Sequence, residues 1–194
     1  MSFEKNKYQI VRNALSLDLI EFINTSCEIH ENVRHFFVPA TESVPYPYGD
    51  SQVPNSFSSY STIYSEATLR FLKPTIEKIT DAELHESCSY SRNYYHGATL
   101  KKHSDRPECE YSATLCISKE KDWPIFIEGM DGVVAEVELN PSDMIVYRGD
   151  ILNHWRDFYH GTTHRQMFLH YVNAYGKYKD RKFDGRPMLA LQKK

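Results

Sequence analysis

The stretch His103-Ser104-Asp105 sets two metal-binding side chains one residue apart, and two more histidines, His154 and His160, follow in GDILNHWRDFYHGTTHRQMF, ahead of Arg165. Imidazole nitrogens and carboxylate oxygens ligate first-row metals. Two histidines with one carboxylate fill one face of an octahedron and leave open positions, the arrangement of non-heme Fe(II) sites. In extended backbone residues i and i+2 share a face, so His103 and Asp105 can hold one ion together. With nine histidines in the chain, an HxD is weak on its own, because such a pair commonly bonds to itself or to backbone. A distant third ligand and an arginine, whose planar fork matches a carboxylate bidentately, raise it above a polar turn.

Short strands must position these residues. From about residue 84 the hydrophobic period becomes two: ELHESCSYSRNYYHG, EYSATLCIS, PIFIEG, GVVAEVEL, DMIVYRG and RQMFLHYV are rich in β-branched and aromatic residues and bounded by turn formers. No helices intervene to make parallel crossovers, so the pattern predicts an all-β sandwich or barrel. Upstream, SLDLIEFINTSCEI offers Ser16 as a cap and an apolar stripe at helical spacing. SEATLRFLKPTIEKIT repeats that spacing, with Pro74 expected to kink or restart the helix. Four prolines and many serines make residues 38–61 a long irregular loop, the kind that often covers a site. The predicted class is mainly β with flanking helices (α+β). One domain spans residues 1–194, with a helical and loop extension over 1–83, a β core over 84–175 and a solvated tail over 176–194.

The quoted residues resemble a known pattern. HSD at 103–105, His154 and Arg165 match the HxD…H…(R/K) order of Fe(II)/2-oxoglutarate-dependent oxygenases, in particular the prolyl-4-hydroxylase-like group, and YYHGATLKKHSD resembles that group's Y…G…HxD segment. The resemblance covers roughly residues 88–173. It implies a double-stranded β-helix, or jelly roll, and an enzyme with Fe(II) on His103, Asp105 and His154. It further implies that 2-oxoglutarate is held at its far carboxylate by Arg165 and Tyr94, that O2 is consumed, and that ascorbate serves as an accessory reductant. The spacing favours His154 over His160, and Arg156, two residues after His154, stays open as sharing or replacing the role of Arg165. His164 is expected to face outward and His170 to be a structural histidine. Arg106, Glu108 and Cys109 are expected to serve turn and cap roles beside the ligands.

The reaction so implied is hydroxylation of an unactivated C–H bond with release of succinate and CO2. Asp105 favours hydroxylation over halogenation, in which a small residue replaces the carboxylate. The substrate is a small molecule or a peptidyl group, with prolyl a leading option. A cupin-like metal protein without 2-oxoglutarate chemistry and a metal-free binding module are the alternatives. The net charge of -3 gives no general attraction for nucleic acid, and KYKDRKFDGR near the C-terminus reads as a solvated run. There is no CxxC pair, no apolar leader and no stretch long enough for a membrane span, so a reducing, cytoplasmic setting is expected. Oligomeric state is not indicated by the sequence.

Overall fold

In the computed structural model, which describes residues 3–192, two antiparallel sheets face each other and two long helices cover the back of the larger one. A short helical turn, α1 (Phe3–Asn6), leads into strand β1 (Tyr8–Val11). Helix α2 (Leu17–Phe37) starts at Ser16, whose side chain accepts from the Leu19 N–H. It buries Ile20, Ile23 and Cys27 at helical spacing. Strand β2 (Ser56–Tyr60) and helix α3 (Ile63–Thr80) follow, the helix capped by Thr62 and closed by Asp81 in the left-handed region at φ 50°. Pro74 sits inside α3, which runs through it as one helix, so the expected restart does not occur.

The remaining strands are β3 (Leu84–Tyr95), β4 (Leu100–His103), β5 (Tyr111–Lys119), β6 (Ile125–Glu128), β7 (Val134–Val137), β8 (Met144–Tyr147), β9 (His154–Arg156) and β10 (Thr163–Asn173). They form a six-stranded sheet, β1-β8-β5-β10-β3-β2, and a four-stranded sheet, β4-β9-β6-β7. This is the β-sandwich that the alternating pattern predicts, in the jelly-roll arrangement that the resemblance implies. The 1–83 segment is more than a helical extension, because it supplies both edge strands of the larger sheet, β1 on β8 and β2 on β3. Those strands are four and five residues long, too short for periodicity to reveal.

Alternation divides the larger sheet into two faces. Ala113, Leu115, Met144, Val146, Met167, Leu169 and Tyr171 pack against Leu69, Leu72 and Ile76 of α3 and the buried face of α2. The opposite residues of the same strands face the smaller sheet, where Ile125, Ile127, Ile145 and Tyr147 make one apolar cluster and Tyr94, Leu100, Trp123 and Tyr159 another.

The tail departs from expectation. A 3₁₀ segment over Lys179–Gly185 buries Asp184, and the next residue, Arg186, donates to Glu66 of α3 at 2.6 Å, with both side chains 2% exposed. Lys177, Lys179, Asp180, Arg181 and Lys182 stay exposed as expected, and only Asp184 and Arg186 of the run are drawn into the fold, Arg186 by its partner carboxylate. No helix among the described residues is long and apolar enough to cross a membrane.

Candidate metal centre

Three side chains able to ligate a metal meet at the open end between the sheets. His103 ends β4, His154 begins the neighbouring β9, and the two are paired across the strands. Asp105 lies two residues past β4, its N–H held by the Gly149 carbonyl at 2.7 Å. The ligand atoms of His103, Asp105 and His154 all lie within 4.8 Å of one another. Each imidazole Nε2 stands 3.6 Å from Asp105 Oδ1.

Backbone carbonyls set the orientation of both rings. His103 Nδ1 is 2.8 Å from the Lys101 carbonyl and His154 Nδ1 is 3.1 Å from the Leu152 carbonyl. A carbonyl only accepts, so Nδ1 carries the proton in each ring and Nε2 carries the lone pair; at His103 that lone pair accepts from the Gln52 amide at 3.1 Å, a bond that a metal ion would replace. Metal-binding histidines are commonly oriented in this way. Burial lowers the His154 pKa, opposed by the Asp105 carboxylate, so the ring is held neutral as metal binding requires. Gly149 makes room for the carboxylate: a Cβ there would lie 2.5 Å from Asp105 Oδ2, the Cys109 carbonyl and Ser112 Oγ.

The site opens into a cavity of about 260 Å³ lined from both sheets, by Tyr90, Arg92, Tyr94, Thr114, Tyr147, Phe168 and His170 on one side and Leu100, Ile125 and Arg156 on the other. Arg156 shares its strand face with His154 two residues earlier and is 3% exposed. Its guanidinium lies over Trp123, 4.8 Å from the ring centroid, and Nη1 donates to the Trp123 carbonyl. Nη2 has no hydrogen-bond partner, and no carboxylate forms an ion pair with it among the described residues. The buried Tyr94 hydroxyl also lacks a partner. A buried guanidinium without a counter-ion carries a large desolvation cost, and burial lowers the Arg156 pKa accordingly.

Arg165 does not reach this cavity. It is in phase with Met167, Leu169 and Tyr171, the residues that face the helices. Its guanidinium pairs with Glu31 at 2.8 Å and Glu28 at 3.4 Å on α2 and bonds Asn24. The parity expected for β10 is therefore reversed. His164, expected outside, is buried against Trp123 and Tyr159, and burial with Arg156 nearby lowers its pKa to about 2. His170, expected to be merely structural, lines the cavity. His160 packs at a tilt against Phe158 and is outside both the ligand cluster and the cavity lining.

The 38–61 loop also reaches the site. Asp50 accepts from Tyr90 at 2.6 Å, from Arg92 and from the Val53 N–H at 2.8 Å. That latch brings Gln52 to Arg92 at 3.2 Å and to His103 Nε2 at 3.1 Å. Sequence reasoning gave neither residue a role, and nothing in their local pattern marks them.

No protein-family model matches the chain, and no curated protein matches it in sequence. Solved structures do. A Pseudomonas putida prolyl-4-hydroxylase superposes with a TM-score of 0.64 at 15% identity, covering 88% of this chain and 95% of that one. HygX from Streptomyces hygroscopicus, with nickel, 2-oxoglutarate and hygromycin B bound, gives 0.65 at 11% identity over 89% and 85%. The alpha-ketoglutarate-dependent carbocyclase SnoK from nogalamycin biosynthesis gives 0.69 at 9% identity over 89% and 81%. The chain therefore has the jelly-roll fold of the 2-oxoglutarate-Fe(II) oxygenases.

Proposed function

We propose that the protein is an Fe(II)- and 2-oxoglutarate-dependent oxygenase, built as one domain, that hydroxylates an unactivated C–H bond. The observation that carries this reading is a buried, unpaired guanidinium, Arg156, in the same cavity as a two-histidine, one-carboxylate cluster. Neither group makes sense alone. The cluster suits Fe(II) with open positions, and the guanidinium needs an anion that enters from outside.

His103, Asp105 and His154 would hold the metal. Arg156 and the Tyr94 hydroxyl would take the far carboxylate of 2-oxoglutarate, the role first expected of Arg165. A carboxylate there would satisfy the free Nη2 and the free hydroxyl together. The chemistry that iron and 2-oxoglutarate supply together is the use of dioxygen to oxidise an unactivated C–H bond, with succinate and CO2 as co-products. The chain's own residues orient and exclude. His103 and His154 present their Nε2 lone pairs, Trp123 and Leu100 wall off the guanidinium, and Gln52 on its latched loop closes the side near His103.

Cavities for drug-sized ligands run from about 300 Å³ upward. With 2-oxoglutarate occupying part of 260 Å³, the room left suits a small molecule or one inserted side chain, prolyl among them.

The test is anaerobic addition of Fe(II) and 2-oxoglutarate, followed by the weak visible charge-transfer band of a chelated keto acid. The wild type should show it, Asp105→Ala should not, and Arg156→Leu should need far more 2-oxoglutarate. No band at saturating iron would sink the reading and favour a cupin-like metal protein or a metal-free module.

A further inference from the structure

Asp105 turns only one oxygen toward the histidines. Its other oxygen, Oδ2, accepts from Ser112 Oγ on β5 at 3.0 Å. The same hydroxyl lies 2.9 Å from His170 Nδ1 on β10 and 3.1 Å from the Cys109 carbonyl. Ser112 is fully buried and His170 nearly so, and β5 and β10 set the two residues directly opposite each other across the ladder. This spot is a cross-strand pair, held in register by the sheet.

One hydroxyl has one proton to give. Of the three groups that could accept it, Asp105 Oδ2, the Cys109 carbonyl and His170 Nδ1, only the carboxylate bears a full negative charge, so the proton goes to Asp105 Oδ2 and the Ser112 oxygen is left with lone pairs only. His170 must then donate to it, which places the ring's proton on Nδ1.

We infer that His170 and Ser112 are positioning residues: a directed chain, His170 Nδ1–H to Ser112 Oγ–H to Asp105 Oδ2, fixes the carboxylate so that Oδ1 faces His103 and His154. The inference rests on the reading of Asp105 as a metal ligand. The ligand atoms of Asp105, Cys109 and His170 also lie within 4.8 Å of one another, a grouping that could instead hold a second ion. The hydrogen-bond chain already occupies the facing atoms of Asp105 and His170, which favours positioning over ligation.

Two measurements test it. In the metal-free wild type, long-range 1H–15N NMR should show His170 protonated on Nδ1; an Nε2–H tautomer would overturn the chain. In anaerobic Co(II) titration the wild type should bind one equivalent, and Ser112→Ala and His170→Phe should each weaken binding by about 10- to 100-fold. His170→Asn, whose side-chain amide can replace Nδ1–H, should stay close to wild type, with near-UV circular dichroism confirming that each variant is folded. Unchanged affinity in folded Ser112→Ala and His170→Phe overturns the inference. A second Co(II) equivalent with a thiolate charge-transfer band, lost in His170→Phe, overturns it in favour of ligation. If the wild type binds no Co(II), the metal reading of the site fails, and the tautomer still judges the hydrogen-bond chain by itself.

Discussion

Residue by residue, the two arginines near the distal histidine differ in what they lack, and the anchoring role expected first of Arg165 is the one proposed for Arg156, which the sequence leaves open as sharing or replacing it. Arg156 is buried without a counter-ion, whereas Arg165 already has Glu31 and Glu28. Removing one partner of a buried charged pair costs about 2–5 kcal/mol, which is roughly 30-fold or more in affinity. Arg156→Leu should therefore raise the 2-oxoglutarate dissociation constant by at least that factor, measured by calorimetry with Mn(II) bound. Arg165→Ala should leave it within a few-fold, and the reverse ranking would restore Arg165 as the anchor. The candidate ligand cluster was legible because i and i+2 on a strand, plus a spaced histidine, is a pattern that sequence order preserves. The anchor was less so. In RQMFLHYV either phase, Arg165-Met167-Leu169-Tyr171 or Gln166-Phe168-His170, alternates plausibly, and a one-residue slip turns every side chain over. The useful signal was that Arg156 must share the face of His154.

Among the elements, Arg165 joins α2 to the larger sheet. Glu31 also accepts from Asn93 at 3.2 Å and from Tyr95, so the half-buried carboxylate sits in a network that needs its cation. Breaking such a pair from one side costs about 3–5 kcal/mol. Arg165→Ala should lower the unfolding free energy by that amount, read as a lower urea midpoint at unchanged slope, and an unchanged midpoint would reduce the contact to a surface pair. The 38–61 loop hangs on a smaller latch, Asp50 against Tyr90 and Arg92. Hydrogen bonds to a charged group contribute about 1.5–3 kcal/mol each. Asp50→Ala should accordingly speed proteolytic cleavage within residues 38–55 by about tenfold or more. Equal cleavage rates would show that the loop is held by its aromatic contacts instead. The helices were readable from caps and spacing, and the long strands from alternation. The edge strands β1 and β2 were not, since each is fixed by a neighbour distant in sequence.

Across the whole molecule, three elements converge on charges that local sequence assigns to solvent. Asp184 of the tail accepts from Tyr60 at 2.5 Å and from Arg106 at 2.8 Å, both of them cavity-lining residues, so the C-terminal segment braces the site. Polar groups buried this completely make folding depend on pH. Burial lowers the pKa of His170 to about 4 and of His164 to about 2, against an ordinary value of 6.5. Below pH 6.5 the unfolded chain takes up protons that the folded chain refuses, so stability must fall as pH drops from 6.5 toward those lower values. At pH 5 the loss amounts to roughly 2 kcal/mol per histidine. Asp50 and Asp143, whose pKa values are lowered by their cationic and backbone partners, act in the same direction only below the carboxylate range. The interval from pH 7.5 to 5 thus isolates the histidines. The metal-free protein should show a urea midpoint clearly lower at pH 5 than at 7.5, and His170→Asn should recover roughly 2 kcal/mol of that loss, because one refusing ring is gone while His164, and His154 and His30, whose pKa values burial also lowers, remain. A midpoint independent of pH across this interval would mean that water reaches both rings, and the sealed sandwich interior would have to be abandoned with it.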